Sequence, residues 1–144
     1  MLIRKETWDT GPFHEFLLER AKIPFAWGNN DCALFAADAI ESITGVDIAP
    51  DFRGKYTDQR GALKTIHAVT GGATVEDAAE YCAAKAEMVE WKHPLMAQRG
   101  DLVTVSDAGR IISGVIHLNG NIVAVGEDGL KVIPITSVRR AWHY

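Results

Sequence analysis

The sequence of 144 residues has few cysteines: Cys32 and Cys82 are too few for the disulfide framework of a small secreted domain. Its histidines, cysteines and carboxylates show no metal-site spacing, so we expect neither a metal nor another cofactor. No apolar run approaches the roughly 20 residues of a membrane-spanning helix. The first residues lack the apolar segment of a secretory signal peptide. We therefore expect a protein that is made in a cytoplasm and has no membrane span.

Positive charge is not in excess either. The acidic residues number 19 and the basic ones 15, for a formal net charge of −4 and a pI near 5.7. The basic residues are scattered apart from Arg139 and Arg140, which argues against nucleic-acid binding. With 47% hydrophobic residues and no repeat, low-complexity tract or linker, the chain is predicted to form one domain over residues 1–144.

The first half of the chain has the apolar spacing of helices. One helix is predicted to begin at Pro12 and to stop before Pro24. The next is a central helix over 32–44, capped by Asp31 at its start and by Gly45 at its end. Two more are predicted at 58–69 and after Thr74, where Asp77 completes a capping box.

The second half alternates apolar segments with turn residues, a pattern typical of strands. The predicted strands are 88–91, 101–105, 110–118, 121–126 and 130–135. Asn119 and Gly120 favour a tight two-residue hairpin between two of them. Helices followed by an antiparallel meander predict an α+β fold with the helices packed on one face of the sheet.

Cys32 is predicted to be the first residue of the central helix. A helix N-terminus offers unpaired N–H groups and the positive end of the macrodipole, which favour a thiolate nucleophile. Cys32 also begins the apolar stripe of the helix, and cysteine usually packs as a small hydrophobe. Spacing alone favours this packing interpretation. Cys82, on the last predicted helix, is interpreted as a core thiol.

Three segments resemble the NlpC-like cell-wall cysteine peptidases, a papain-like fold. Residues 25–28 (Phe-Ala-Trp-Gly) and 31–35 (Asp-Cys-Ala-Leu-Phe) resemble the segment that carries the family's nucleophile. Residues 98–103 resemble its Pro-Gly-Asp-Leu-Val strand, and 114–116 resemble the hairpin that follows. The resemblance implies an NlpC-type core in which Cys32 occupies the nucleophile position.

The whole chain, including residues 139–142, resembles a small branch of this family that is encoded among bacteriophage and prophage tail genes. The resemblance implies production in the cytoplasm of a bacterial host and a final location in the virion tail. It also implies other phage tail proteins as partners at the tail tip or hub, with peptidoglycan as the substrate if the site is active.

The resemblance also implies a histidine beside the cysteine and a third polar residue that orients the imidazole. The family's histidine stands two residues before the glycine of the hairpin strand, a position that is Ile112 here, and the third residue aligns near Ala124. Neither side chain can move a proton. General-base catalysis typically contributes ~10²–10⁴-fold, so their loss predicts a severe loss of activity.

His117 is the candidate substitute base because it lies on the same predicted strand. Side chains alternate across a strand, so we expect Ile112 to face Cys32 and His117 to point away. A β-bulge at residues 113–114 would reverse these directions and leave His117 as a substitute.

Two functional hypotheses follow. The first is a tail-tip or tail-assembly component that keeps the NlpC-like fold after losing the catalytic histidine. The alternative is an active cysteine endopeptidase or amidase that hydrolyses peptidoglycan peptide bonds during phage entry, with Cys32 as nucleophile and a non-standard base. We favour the first because it needs no replacement for Ile112.

Overall fold

The computed structural model describes residues 2–144. Four helices come first along the chain. They are α1 (Pro12–Arg20), α2 (Cys32–Thr44), α3 (Gln59–Thr70) and α4 (Val75–Lys85). The caps of α2 are those expected, since the Asp31 side chain accepts the Leu34 N–H and Gly45 takes a φ of 82°. None of the helices in residues 2–144 has the length and apolar character needed to cross a membrane.

Six strands follow and form one antiparallel sheet in the order β1-β6-β2-β3-β4-β5. They are β1 (Val89–Glu90), β2 (Leu102–Asp107), β3 (Arg110–Ile116), β4 (Ile122–Gly126), β5 (Gly129–Ile133) and β6 (Val138–His143). The α+β prediction is confirmed, and β2 to β5 form the expected meander. The sequence analysis did not predict β6, which returns between β1 and β2.

The connection between β3 and β4 is longer than the predicted two-residue turn. Ile116 is the last β3 residue paired with β4, opposite Ile122, and the His117 N–H then donates to the Asn121 carbonyl at 2.7 Å. Three residues remain in the loop, where Asn119 and Gly120 have φ values of 58° and 72°. The prediction of a two-residue hairpin is therefore wrong, although both residues take the left-handed conformation that they favour.

Apolar side chains bury both faces of the sheet. On the face toward the helices, the sheet contributes Leu102, Val115, Val123, Val125 and Trp142. The opposite face carries a second cluster of Val103, Val105, Ile116, Ile122, Ala124, Ile133 and Ala141. Partly buried residues near the short 3₁₀ segments Pro94–Met96 and Ile135–Ser137 pack against this second cluster. The N-terminus of α2 lies on the face of the sheet that the helices cover, so Cys32 lies on this face too.

The two ends of the chain meet at the loop before β2. The Arg4 guanidinium lies between the rings of Trp8 and Tyr144, at 4.8 and 4.3 Å from their centroids. It also donates to Asp101 Oδ1 at 2.9 Å, and the Tyr144 hydroxyl donates to the Gly100 carbonyl at 2.8 Å. We call Arg4, Trp8, Asp101 and Tyr144 the terminal clasp.

Candidate active site around Cys32

A buried carboxylate fixes the N-terminus of α2. Asp31 Oδ1 accepts the Leu34 N–H at 3.0 Å. Its Oδ2 accepts the Gly28 N–H at 3.0 Å and the Tyr56 hydroxyl at 2.6 Å. These three bonds tie the segment before α2 and the segment before α3 to the turn that carries Cys32.

Gly28 has a steric role beside this turn. Its φ is +79°, and a Cβ at this position would lie 2.0 Å from the Tyr56 carbonyl oxygen. Only glycine allows both the conformation and the close approach. The Trp-Gly pair that resembles the peptidase family therefore has a local structural cause in this chain.

Cys32 is the first residue of α2, yet its surroundings favour the thiol over the thiolate. Burial is the main cause and, with the negative charge of Asp31, raises the pKa of Cys32 to about 11. Hydrogen bonds from the backbone amides of Ser113 and Ala33 act in the opposite direction but do not offset the burial. The helix N-terminus alone therefore does not lower the pKa of Cys32 below its ordinary value.

The space beside the sulfur is small and apolar. A cavity of about 30 Å³ is lined by Cys32 together with Trp27, Phe52, Tyr56 and Val75, among others. A second cavity of about 20 Å³ lies toward the sheet and is lined by Ser113 and Cys82 among its neighbours. Each cavity exceeds the ~10–15 Å³ that one water needs, but neither holds a peptide unless the surrounding elements move apart.

Alkylation by iodoacetamide tests this description of the two thiols. The rate at Cys32 is expected to rise with pH up to a midpoint of about 11, and that at Cys82 to about 12, because burial raises the pKa of both. Mass spectrometry of the separate peptides measures each rate across pH. A Cys32 midpoint at or below 9.0, the ordinary value for a thiol, would contradict the desolvation of this partly buried side chain.

The β3 residue that contacts Cys32 is Ser113, not Ile112. Ser113 pairs with Thr104 and its backbone is among the groups that lower the pKa of Cys32, whereas Ile112 pairs with Val105 and packs on the opposite face. The register of β2 and β3 runs without interruption from Leu102 to Asp107, so no bulge shifts the faces. The prediction that Ile112 faces Cys32 is therefore wrong by one residue.

The expected position of the third catalytic residue is displaced in the same way. Ala124 packs on the face away from the helices. Its neighbours Val123 and Val125 face the helices, and both are apolar. No residue at this point of β4 can orient an imidazole.

His117 lies on the helix face, contrary to the prediction, but at the far end of β3 from Cys32. Its ring packs edge-on against Phe13 of α1, with 5.4 Å between the centroids. It is four residues beyond Ser113, or about 13 Å at about 3.3 Å per residue. Burial, followed by the charges of Arg99 and His14, lowers the pKa of His117, and Cys32 is not among the groups that affect it.

The other four histidines lie elsewhere. His14 is exposed on α1, His67 is near the Gly72 carbonyl, His93 is exposed and His143 stacks on Trp91. Asp31 is the charged group that raises the pKa of Cys32, and no imidazole contributes. Within residues 2–144, the structure thus brings Cys32 together with Asp31, Tyr56 and Ser113 but with no histidine.

Tyr56 is the site residue that the sequence analysis missed. Its hydroxyl bonds to Asp31 across 25 positions of sequence. Burial and the Asp31 charge raise the pKa of this phenol above its ordinary range, so it remains a hydrogen-bond donor at neutral pH. Tyr56 stands in an irregular segment without a motif, so no local signal marked it.

A cysteine that begins the central helix, packed on an antiparallel sheet, is the arrangement of a papain-like core. The structure is similar to the crystal structure of the NlpC/p60 domain of the peptidoglycan hydrolase SagA, with a TM-score of 0.55. The match covers 92% of this chain and 97% of that one, and at 15% sequence identity it shows the fold alone. The fold is thus NlpC-like, as expected.

The family itself is identified by sequence. The model of the family described as "Domain of unknown function (DUF6950)" matches residues 3–144, and the chain belongs to this family. No curated protein matches the chain.

Proposed function

We propose that the protein is a tail-tip or tail-assembly component of a bacteriophage or prophage whose NlpC-like domain has lost the catalytic histidine. One observation carries the enzymatic half of the proposal: the β3 residue that acts on the pKa of Cys32 is Ser113, through its backbone, whereas a papain-like peptidase needs an imidazole beside the sulfur.

The chemistry of Cys32 supports this proposal. A thiol with a pKa of about 11 is ionised in roughly one molecule in 10⁴ at pH 7. Without a base within hydrogen-bonding reach, no group removes the proton as the sulfur attacks and none returns it to a leaving amine. The nearest carboxylate, Asp31, is occupied by three hydrogen bonds and its charge disfavours the thiolate.

The tail role rests on the resemblance of the whole chain to proteins encoded among phage tail genes. On this proposal the protein is made in the cytoplasm of the bacterial host and binds other tail proteins as the virion tail forms. A structural role suits a domain whose α2 is enclosed and whose two ends are joined by the terminal clasp.

The alternative is a cysteine endopeptidase or amidase that acts on peptidoglycan during phage entry. Two features favour it: Cys32 keeps its place at a helix N-terminus, and the amides of Ser113 and Ala33 both favour its thiolate. The solved structure with the similar fold belongs to a peptidoglycan hydrolase. The alternative requires a base that approaches Cys32 only in a rearranged state.

Virions that carry Cys32→Ala separate the two proposals. We expect normal infectivity, with a stability loss of order 1 kcal/mol for the truncation of a small side chain. Deletion of the whole gene is the control and should abolish complete tails. Muropeptide release from purified peptidoglycan by the wild-type protein should stay at background.

Two results would overturn the proposal. Non-infectious Cys32→Ala particles of normal morphology, together with muropeptides released by the wild-type protein, would establish the peptidase. Complete infectious particles after deletion of the gene would exclude the tail-assembly role.

A further inference from the structure

The helix α3 is attached to the rest of the protein by apolar packing. The other helices are also tied by polar bonds. Arg20 of α1 pairs with Asp38 of α2 at 2.8 Å, and the Thr104 hydroxyl of β2 donates to Glu76 of α4 at 2.9 Å. The side-chain hydrogen bonds of residues 58–72, by contrast, all end within that segment. Within residues 2–144, no ion pair joins α3 to another element.

The buried face of α3 is small and borders a void. Ala62 and Ile66 are its buried residues, at 8% and 5% exposure, whereas α2 buries seven side chains. Both line the cavity of about 30 Å³ beside Cys32, where a filled core would supply more dispersion contacts. A helix of 12 residues is marginal without tertiary packing, so we expect α3 to open before the rest of the domain unfolds.

The chain before α3 changes hydrogen-bond partners at Thr57. On the core side of this residue, the Tyr56 hydroxyl donates to Asp31 at 2.6 Å. On the other side, Asp58 accepts the Gly61 N–H at 2.7 Å and so belongs to α3. Thr57 itself is exposed. Rotation at this one residue therefore leaves the bonds on both sides intact.

The connection from α3 to α4 contains a second point of this kind. The Gly72 N–H donates to the Thr70 hydroxyl of α3 at 3.0 Å. The next amide, that of Ala73, donates instead to Asp77 of α4 at 2.9 Å. Rotation between Gly72 and Ala73 therefore moves α3 without disturbing the capping box of α4.

We propose that α3 is a lid over the cavity beside Cys32. It swings away at Thr57 and after Gly72 while α2, α4 and the sheet stay folded, and its position controls access to the sulfur. The bond between Tyr56 and Asp31 lies outside the moving segment, so the N-terminus of α2 keeps its geometry when the lid opens.

The open lid turns the cavity into a groove. Its movement removes the wall that Ala62 and Ile66 form, and the remaining walls come from α2, α4 and the segments before α2 and α3. The helix α3 is thus the element whose displacement gives a polypeptide access to Cys32. This proposal is independent of the proposed function, because it concerns access to Cys32 and neither its chemistry nor the tail.

A substitution on the outer face of α3 tests the lid without changing the cavity. Lys64 is exposed and does not line the cavity. Because glycine is the poorer helix former, Lys64→Gly should favour the open lid about fivefold over Lys64→Ala, which removes the same charge. The rate of Cys32 alkylation by iodoacetamide near neutral pH and the exchange rate of α3 amides, measured by NMR, should both rise by that factor. Cys82 lies in the cavity that α3 does not line and should react at an unchanged rate.

Ala84→Gly is the matched control outside the lid. It makes the same change from alanine to glycine at an exposed position of α4. The control should not raise the ratio of the Cys32 rate to the Cys82 rate.

Equal Cys32 rates in Lys64→Gly and Lys64→Ala would overturn the proposal, whether or not the exchange of α3 amides accelerates. So would acceleration of Cys32 and Cys82 by the same factor, because both thiols would then react through global unfolding. If Lys64→Gly does not fold, urea decides with the wild type. The Cys32 rate must then rise at concentrations below the unfolding transition, where the Cys82 rate does not, and a constant Cys32 rate up to that transition would contradict the lid.

Discussion

Asp101→Ala is expected to lower the free energy of unfolding by about 3–5 kcal/mol, the cost of leaving a buried charge without its partner. Asp101 is fully buried and binds Arg4 through Oδ1. Its Oδ2 accepts the Trp91 indole N–H at 2.7 Å and the Gln98 N–H at 2.8 Å. The substitution leaves all three donors without an acceptor and opens the terminal clasp.

Urea unfolding of the wild type and the variant measures this loss. Asp107→Ala is the matched control, since it also removes an aspartate paired with a basic side chain, Lys131, but at the partly exposed end of the sheet. Exposed pairs contribute about 0–1 kcal/mol, so the control should change little. Equal losses in the two variants would contradict the stabilising role of Asp101. On this account, Asp101 has a structural role within the segment 98–103 of this chain.

The α2 helix shows what the sequence predicts well. Asp31 and Gly45 were identified as its caps, and they bound the helix in the structure. Thr74 and Asp77 likewise form the capping box predicted for α4. Each of these capping residues acts on backbone only a few positions away, so their effect does not depend on the rest of the fold.

Strand β6 could not be predicted because its apolar residues do not alternate. Val138 and Ala141 lie on the same face although they are three positions apart, because the pairing with β2 shifts by one residue between Thr104 and Val105. The intervening Arg139 and Arg140 pair with glutamates of α4 and β1 that lie 50 to 63 positions away. Neither the shift nor these ion pairs leaves a local trace in the sequence.

The faces of β3 were ambiguous for a related reason. In a sheet buried on both sides, strands are apolar at successive positions, so alternation does not tell which face meets the helices. Leu102 and Val103 on β2, and Val115 and Ile116 on β3, are all fully buried. The hairpin motif identified the position of Gly114, but it did not determine which face of the sheet the neighbouring side chains occupy. Strand pairing decides that direction, and it assigns Ser113 to Cys32.

A histidine at position 113 should therefore make Cys32 reactive, whereas a histidine at position 112 should not. In Ser113→His the imidazole would start from the β3 residue whose backbone already affects the pKa of Cys32. An imidazole beside a cysteine favours the thiolate–imidazolium pair and lowers the thiol pKa. Each unit of lowering raises the thiolate fraction tenfold, so alkylation at neutral pH should accelerate by at least about tenfold.

Iodoacetamide rates at Cys32, followed by mass spectrometry across pH, give the measurement. Ser113→His is expected to cost about 1–3 kcal/mol because the cavity beside Ser113 is smaller than the added ring, so urea unfolding must first show that the variant is folded. Ile112→His is the matched control, with the same side chain one position earlier on the opposite face. Acceleration by Ile112→His alone would show that the motif-based alignment was right and the strand register wrong. Acceleration by Ser113→His alone would mean that an imidazole reaches the Cys32 sulfur from position 113 and not from position 112, as the strand register requires.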